Sequence, residues 1–169
     1  MSTSSSLQGF VPRLPTPGLP DVDSAANFYV RIGDSASFSK TIGESDIYLY
    51  AGLTGDFSPN HMNEAEMRRS AYGRRMAHGA MLIGFMSTTS TMVAERAGRD
   101  GAPETPVSLG YDRIRFVAPV FIGDTITVQY KVAAIDLEKR RALSDVTIVN
   151  DVGKTVAVGQ HILKWVSRE

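Results

Sequence analysis

Between Gly79 and about Arg96 the chain is apolar nearly all round, with Met81, Leu82, Ile83, Phe85, Met86, Met92 and Val93 spread over every face of a helical period. A helix of that kind is buried on most sides, and at ~1.5 Å per residue this one is long enough to cross a small domain. Everything after it reads as strand. Strand patterns cover about Val107 to Phe116, Asp124 to Asp136, Arg140 to Asn150 and Thr155 to Val166. Leu137-Glu138-Lys139 and Asn150-Asp151-Val152-Gly153 have the composition of hairpin loops. One long buried helix followed only by strands predicts an α+β chain.

Upstream, Phe28 to Thr41 alternates well enough for a further strand, with Phe28, Val30 and Ile32 set against Tyr29, Arg31 and Gly33. Ser45 can cap a short helix whose buried face is Ile47, Leu49, Tyr50 and Leu53. A second short helix is expected from Asn63 to Ala71, with Asn63 as its cap, Glu64 and Glu66 in the first turn and Arg68 and Arg69 after them. Residues 1–26 combine a Ser/Thr start with Pro12, Pro15, Pro17 and Pro20, which resists helix and central strand alike. They read as a flexible arm ahead of a single domain over residues 27–169.

Lys plus Arg equals Asp plus Glu at 18 each, so no basic excess points to nucleic acid or to an anionic membrane as the main partner. There is no cysteine, which removes disulfides, thiolate metal sites and a cysteine nucleophile together, and is compatible with a cytoplasmic location. Neither a secretory signal nor the ~18 apolar residues of a spanning helix is expected.

The chemistry concentrates between Tyr50 and Ser87. Asp56 and His61 put a carboxylate and an imidazole on one loop, and Pro59 between them stiffens it against regular helix. Ala77-His78-Gly79 opens the long helix, and the first N–H groups of a helix have no internal partners and sit at the positive end of its dipole. A glycine there lets a ligand oxygen come close. Two groups able to move protons beside bare backbone donors make a candidate active site.

These residues resemble the signature of the MaoC-like, (R)-specific enoyl-CoA hydratases, with Asp56, Pro59 and His61 at the positions of that family's motif. The likeness continues through Ala77-His78-Gly79, Ser87 and, more loosely, Phe116-Val117-Ala118-Pro119-Val120-Phe121-Ile122-Gly123-Asp124. Ser58 stands where Asn is usual and Asn60 where a small apolar residue is usual. The order of elements is similar to the hot-dog fold, in which an antiparallel sheet wraps a long central helix. The resemblance implies a homodimer, since a second subunit normally completes a half-wrapped helix and an exposed sheet edge. It also implies the hydration of a trans-2-enoyl thioester to the (3R)-hydroxyacyl thioester. In that reaction Asp56 and His61 would bracket a water, Gly79 would receive enolate charge, and Ser87 would line the pocket. The thiol carrier would be coenzyme A or acyl carrier protein.

His78 reads as a capping or supporting histidine, or as a substrate contact, and His161 as structural. Three histidines give no recognisable zinc spacing, so neither a metal nor a cofactor is expected. The hydroxyls from Ser87 to Thr91 either bond back to helix carbonyls or form a polar pocket wall. With Asn60 they suit a short or polar acyl group, including one bearing a carboxylate. Coenzyme A phosphates would meet some of Arg68, Arg74, Arg75, Arg113 and Arg115. Two rival readings are a hot-dog thioesterase and a non-catalytic thioester-binding subunit.

Overall fold

A computed structural model describes residues 28–97 and 102–168. The expected arm over residues 1–26 lies outside the described residues. The elements are β1 (Ser35–Thr41), α1 (Glu44–Thr54), α2 (Pro59–Met62), α3 (Glu64–Met67), α4 (Met81–Ala97), β2 (Glu104–Phe116), β3 (Thr125–Asp136), β4 (Arg141–Asn150) and β5 (Thr155–Ser167). The strands form one antiparallel sheet in the order β1-β3-β4-β5-β2, and α4 packs against β1, β3 and β5. This is the α+β hot-dog arrangement, with the sheet curled round a central helix.

Alternation builds the sheet's inner face. Ile126, Val128, Tyr130 and Val132 of β3 are buried, as are Ala142, Val146 and Ile148 of β4 and Leu163 and Trp165 of β5. Against them α4 sets Met81, Leu82, Met86 and Val93. Each such side chain contributes about 1.5–3 kcal/mol on full burial. The four downstream strands fall within a few residues of the ranges read from the sequence.

The differences lie upstream. The strand expected from Phe28 begins only at Ser35, because a turn closes first: Arg31 N–H donates to Asp34 Oδ2 at 2.8 Å and Gly33 takes φ 98°. Phe28 still reaches the core by packing on the Trp165 ring at 4.8 Å. Gly43 rather than Ser45 starts α1, and Asp46 Oδ2 accepts from the Gly43 N–H at 2.8 Å. The buried residues of α1 are Ile47 and Ala51, while Leu49 and Leu53 are 73% and 85% exposed. Asn63 caps its helix as expected, accepting from Glu66 N–H, but α3 stops at Met67. Pro59 does not exclude helix; it occupies the first position of the one-turn α2, where its missing N–H costs nothing. On α4, Gly84, Ser87 and Thr91 form an exposed stripe, so the helix is not buried all round.

After α4 the chain enters β2 at the far edge, beside β5, and then crosses to β3. That crossing, residues 117–124, shapes the site. It pairs Met76 with Phe121 in an isolated bridge, accepts the Ala77 N–H at Val120 O (2.7 Å), and accepts the Ile42 N–H at Asp124 O (2.9 Å). Among the described residues, no helix is long and apolar enough to cross a membrane.

Candidate active site

α2 carries His61, and the segment pinned by the crossing carries His78 and Gly79. Donor atoms of Asp56, His61 and His78 lie within 4.8 Å of one another. His61 is 7% exposed and His78 only 1%. Their rings stack at 3.8 Å with 28° between planes, and Tyr50 closes the other side of His78 at 4.8 Å. Asp56, by contrast, is on the open side of the loop that follows the α1 cap Gly55.

Hydrogen bonds fix the state of each ring. Met76 O can only accept, so His61 Nδ1, 2.8 Å away, carries the proton and Nε2 carries a lone pair. Asn60 agrees with that assignment. Its Oδ1 accepts from Ser58 Oγ, which turns its Nδ2 toward His61 Nε2 at 3.3 Å. Burial lowers the His61 pKa from 6.5; the Met76 carbonyl opposes the shift, His78 adds to it and Asp56 opposes it. His61 is therefore a neutral base at neutral pH. His78 Nε2 donates to the Asp56 backbone carbonyl at 3.0 Å, and its solvent-excluded Nδ1 has no partner. It stacks on His61 and holds the Asp56 backbone.

Gly79 lies in the turn just ahead of α4, and its N–H meets no acceptor among the described residues. A Cβ built there would stand 2.9 Å from Phe116 Cδ2, so only glycine leaves this N–H open beneath the ring. Ser87 makes no hydrogen bond to Asp56 or His61. It lines a separate cavity with Ser90 and Ser108 and faces the Tyr111 phenol. The hydroxyls from Thr88 to Thr91 do bond back to carbonyls of the preceding turn, and Ser90 and Thr91 also face that cavity.

Asp56, His61 and His78 are close enough to share an ion, yet their geometry suits one poorly. Imidazole lone pairs lie in the ring plane, so two stacked rings aim them side by side rather than at a common centre. Of the basic candidates, Arg75 is tied to Glu44 and Glu64, Arg68 to Glu64, and Arg74 lies over the Phe121 ring at 4.0 Å near Asp124. Three contributors had no side-chain signal or sat outside the expected set: the Met76 carbonyl, the Tyr50 ring and the Phe116 ring over Gly79.

Fold and site together define a hot-dog protein with a carboxylate and a neutral imidazole gathered beside His78, one residue before the glycine with an open N–H at the head of the central helix. The MaoC-like domain family model matches residues 28–155. Over 131 residues the chain is 38% identical to an (R)-specific enoyl-CoA hydratase of Rhodospirillum rubrum, covering 78% of this chain and 85% of that one. It is 32% identical over 141 residues to a 3-hydroxybutyryl-CoA dehydratase of Methylorubrum extorquens, covering 83% of each. A solved (R)-hydratase from A. caviae superposes with a TM-score of 0.69 at 27% identity, over 80% of this chain and 96% of that one. The chain belongs to the MaoC-like family, as an enzyme of its hydratase and dehydratase class, the hydro-lyases.

Proposed function

We propose that this chain reversibly hydrates a trans-2-enoyl-CoA to the (3R)-hydroxyacyl-CoA, with Asp56 and His61 as the catalytic pair and the Gly79 N–H as the oxyanion donor. The observation that carries the reading is a ring nitrogen of His61 within 4.8 Å of an Asp56 carboxylate oxygen, on a ring whose Nδ1 is held by Met76 O and whose lone pair is therefore on Nε2, a gap that one water spans with a hydrogen bond to each group. The names of the relatives supply the substrate and its hand.

In the forward direction the water between them gives a proton to His61 Nε2 as its oxygen bonds to the β-carbon. The electron pair of the double bond moves onto the thioester oxygen, where the Gly79 N–H meets it. The imidazolium, still anchored to Met76 O through Nδ1, then returns the proton to the α-carbon and restores the carbonyl. Asp56 orients the water and favours the imidazolium, the direction in which its charge moves the His61 pKa. Proton and electrons balance without a metal or cofactor. Removing one backbone donor of this type costs about 2.7–4 kcal/mol of transition-state stabilisation. The active form is a homodimer, because β1 and β2 stand at the open edges of the sheet formed by the described residues.

Loss of the conjugated enoyl-thioester absorbance with crotonyl-CoA, followed by chiral analysis of the product, tests this directly. Asp56→Asn and His61→Gln should each lower turnover by about 10²–10⁴-fold with the fold retained. Unchanged turnover in either variant refutes the assignment.

A further inference from the structure

The second half of α4 borders a cavity of about 310 Å³, faced by Ser87, Ser90, Thr91 and Glu95 of the helix, Ser108 of β2 and Leu163 of β5. α4 begins beside Gly79, and at its regular rise Ser87 and Ser90 lie about 12 and about 16 Å further along the axis. At that distance the cavity lies within reach of an acyl chain whose thioester oxygen rests at Gly79 and which follows the helix.

The hydrogen bonds of the wall say what it can receive. Ser90 Oγ donates to Ser87 O at 2.8 Å and Thr91 Oγ1 donates to the same carbonyl at 3.2 Å. Both protons are committed, so both oxygens turn lone pairs toward the cavity. Ser90 is 4% exposed, which makes it a built-in part of the wall rather than a surface hydroxyl. Ser108 Oγ is held by His161 Nε2 at 2.8 Å. Glu95 adds an acceptor at the rim. Behind Ser87 and Ser90 stands the Tyr111 phenol, whose solvent-excluded oxygen completes no hydrogen bond of full geometry although both serines face it. The wall thus offers acceptors at Ser90 and Thr91, with the Ser87 hydroxyl and the Tyr111 phenol as its donors.

Each class of acyl end meets that wall differently. An alkyl end would pack on Ala94, Pro106 and Leu163 but strip water from the serine and threonine oxygens without replacing their hydrogen bonds. A carboxylate, itself only an acceptor, would find two hydroxyl donors but also the Ser90 and Thr91 lone pairs and the Glu95 charge, with no Lys or Arg among the described residues that line the cavity. A hydroxyl can donate to Ser90 or Thr91 and accept from a neighbouring O–H. We infer that the cavity binds a hydroxyl on the distal part of the acyl chain, so that the preferred substrates are hydroxy-substituted 2-enoyl thioesters. The inference rests on the hydratase reading above, and it replaces the carboxylate-bearing group that the sequence suggested.

The test compares kcat/KM for ω-hydroxy, alkyl and ω-carboxy trans-2-enoyl-CoAs of matched length across a graded series, with crotonyl-CoA as the reference for hydration itself. The hydroxy compound should lead its alkyl partner by at least about tenfold at the length that reaches Ser90, the scale of one buried hydrogen bond. Ser90→Leu should reverse that ratio. Tyr111→Phe should lower it and carries the test if the leucine variant does not fold. Hydration of crotonyl-CoA with equal or better use of the alkyl or carboxy series at every length overturns the inference and leaves the hydratase intact. No hydration of crotonyl-CoA or of any member of the series overturns the hydratase reading beneath it.

Discussion

His161 should make the protein lose stability on mild acidification, and the size of the effect follows from its surroundings. The side chain is fully buried in β5, with Tyr130 Oη 2.8 Å from Nδ1, Ser108 Oγ 2.8 Å from Nε2 and the Tyr111 ring at 4.5 Å. These groups are uncharged, and burial pushes its pKa down from 6.5 to about 4. The folded protein therefore holds His161 neutral while the unfolded chain takes up a proton below about pH 6.5. The stabilisation is complete above the unfolded pKa and is lost as pH falls from there toward the folded value. Linkage at about 1.4 kcal/mol per pH unit of difference gives a loss of about 2 kcal/mol between about pH 7 and about pH 5, and about 3 kcal/mol by about pH 4.

Urea unfolding of the unmutated protein and of His161→Gln over that range isolates the effect. His61, with its lowered pKa, and the carboxylates of Asp46, Glu64, Glu104 and Asp136, also lowered, are present in both proteins and cancel in the difference. The stability gap between the two should narrow by about 2 kcal/mol from about pH 7 to about pH 5. Parallel curves, with a gap constant to within about 0.5 kcal/mol, would refute the argument that the buried imidazole is the acid-sensitive element.

Three further outcomes follow from the site. Because burial lowers the pKa of His61 and the mechanism needs it neutral, log kcat/KM for crotonyl-CoA should stay flat through neutrality and fall with unit slope only below about pH 6.5; an inflection above that value contradicts it. Gly79→Ala should keep the fold, since the half-exposed Phe116 ring can swing aside, while kcat/KM drops by about 10²-fold. If removing the ring as well, in Gly79→Ala with Phe116→Ala, restores the rate, the glycine serves packing rather than the thioester oxygen. Dialysis against a chelator should leave hydration unchanged, and a rate lost to the chelator and recovered with a divalent ion would show that Asp56, His61 and His78 hold a metal after all.

The downstream strands and the long helix were legible because alternation and an apolar helical period are set by side chains, and the sheet and helix bury those side chains as the pattern requires. Leu49 and Leu53 misled for the converse reason: their spacing fits a buried helical face, but it is Ile47 and Ala51 of α1 that are buried, with Tyr50 packed partly against the core, so two large apolar residues stay on the surface. The order of the sheet was not legible either. β2 pairs with β5 rather than with its neighbour β3, a choice made by the path of residues 117–124.

That path also explains why the site was only half visible. Asp56 and His61 declare themselves as side chains, but what would make them work as the proposed pair is backbone. Met76 O selects the His61 tautomer, Asp56 O fixes His78 beneath it, and the open Gly79 N–H follows two residues after the Ala77 N–H that donates to Val120 O. Peptide groups carry no residue-type signature, so any sequence could supply them and only the fold can aim them. The crossing from β2 to β3 bears on two of these, since it grips Met76 and Ala77 directly and leaves β2 at Phe116, whose ring lies against Gly79. The proposed catalysis therefore depends as much on the Phe116–Asp124 connection, which makes no hydrogen bond to Asp56 or His61 among the described residues, as on the segment that carries those two side chains.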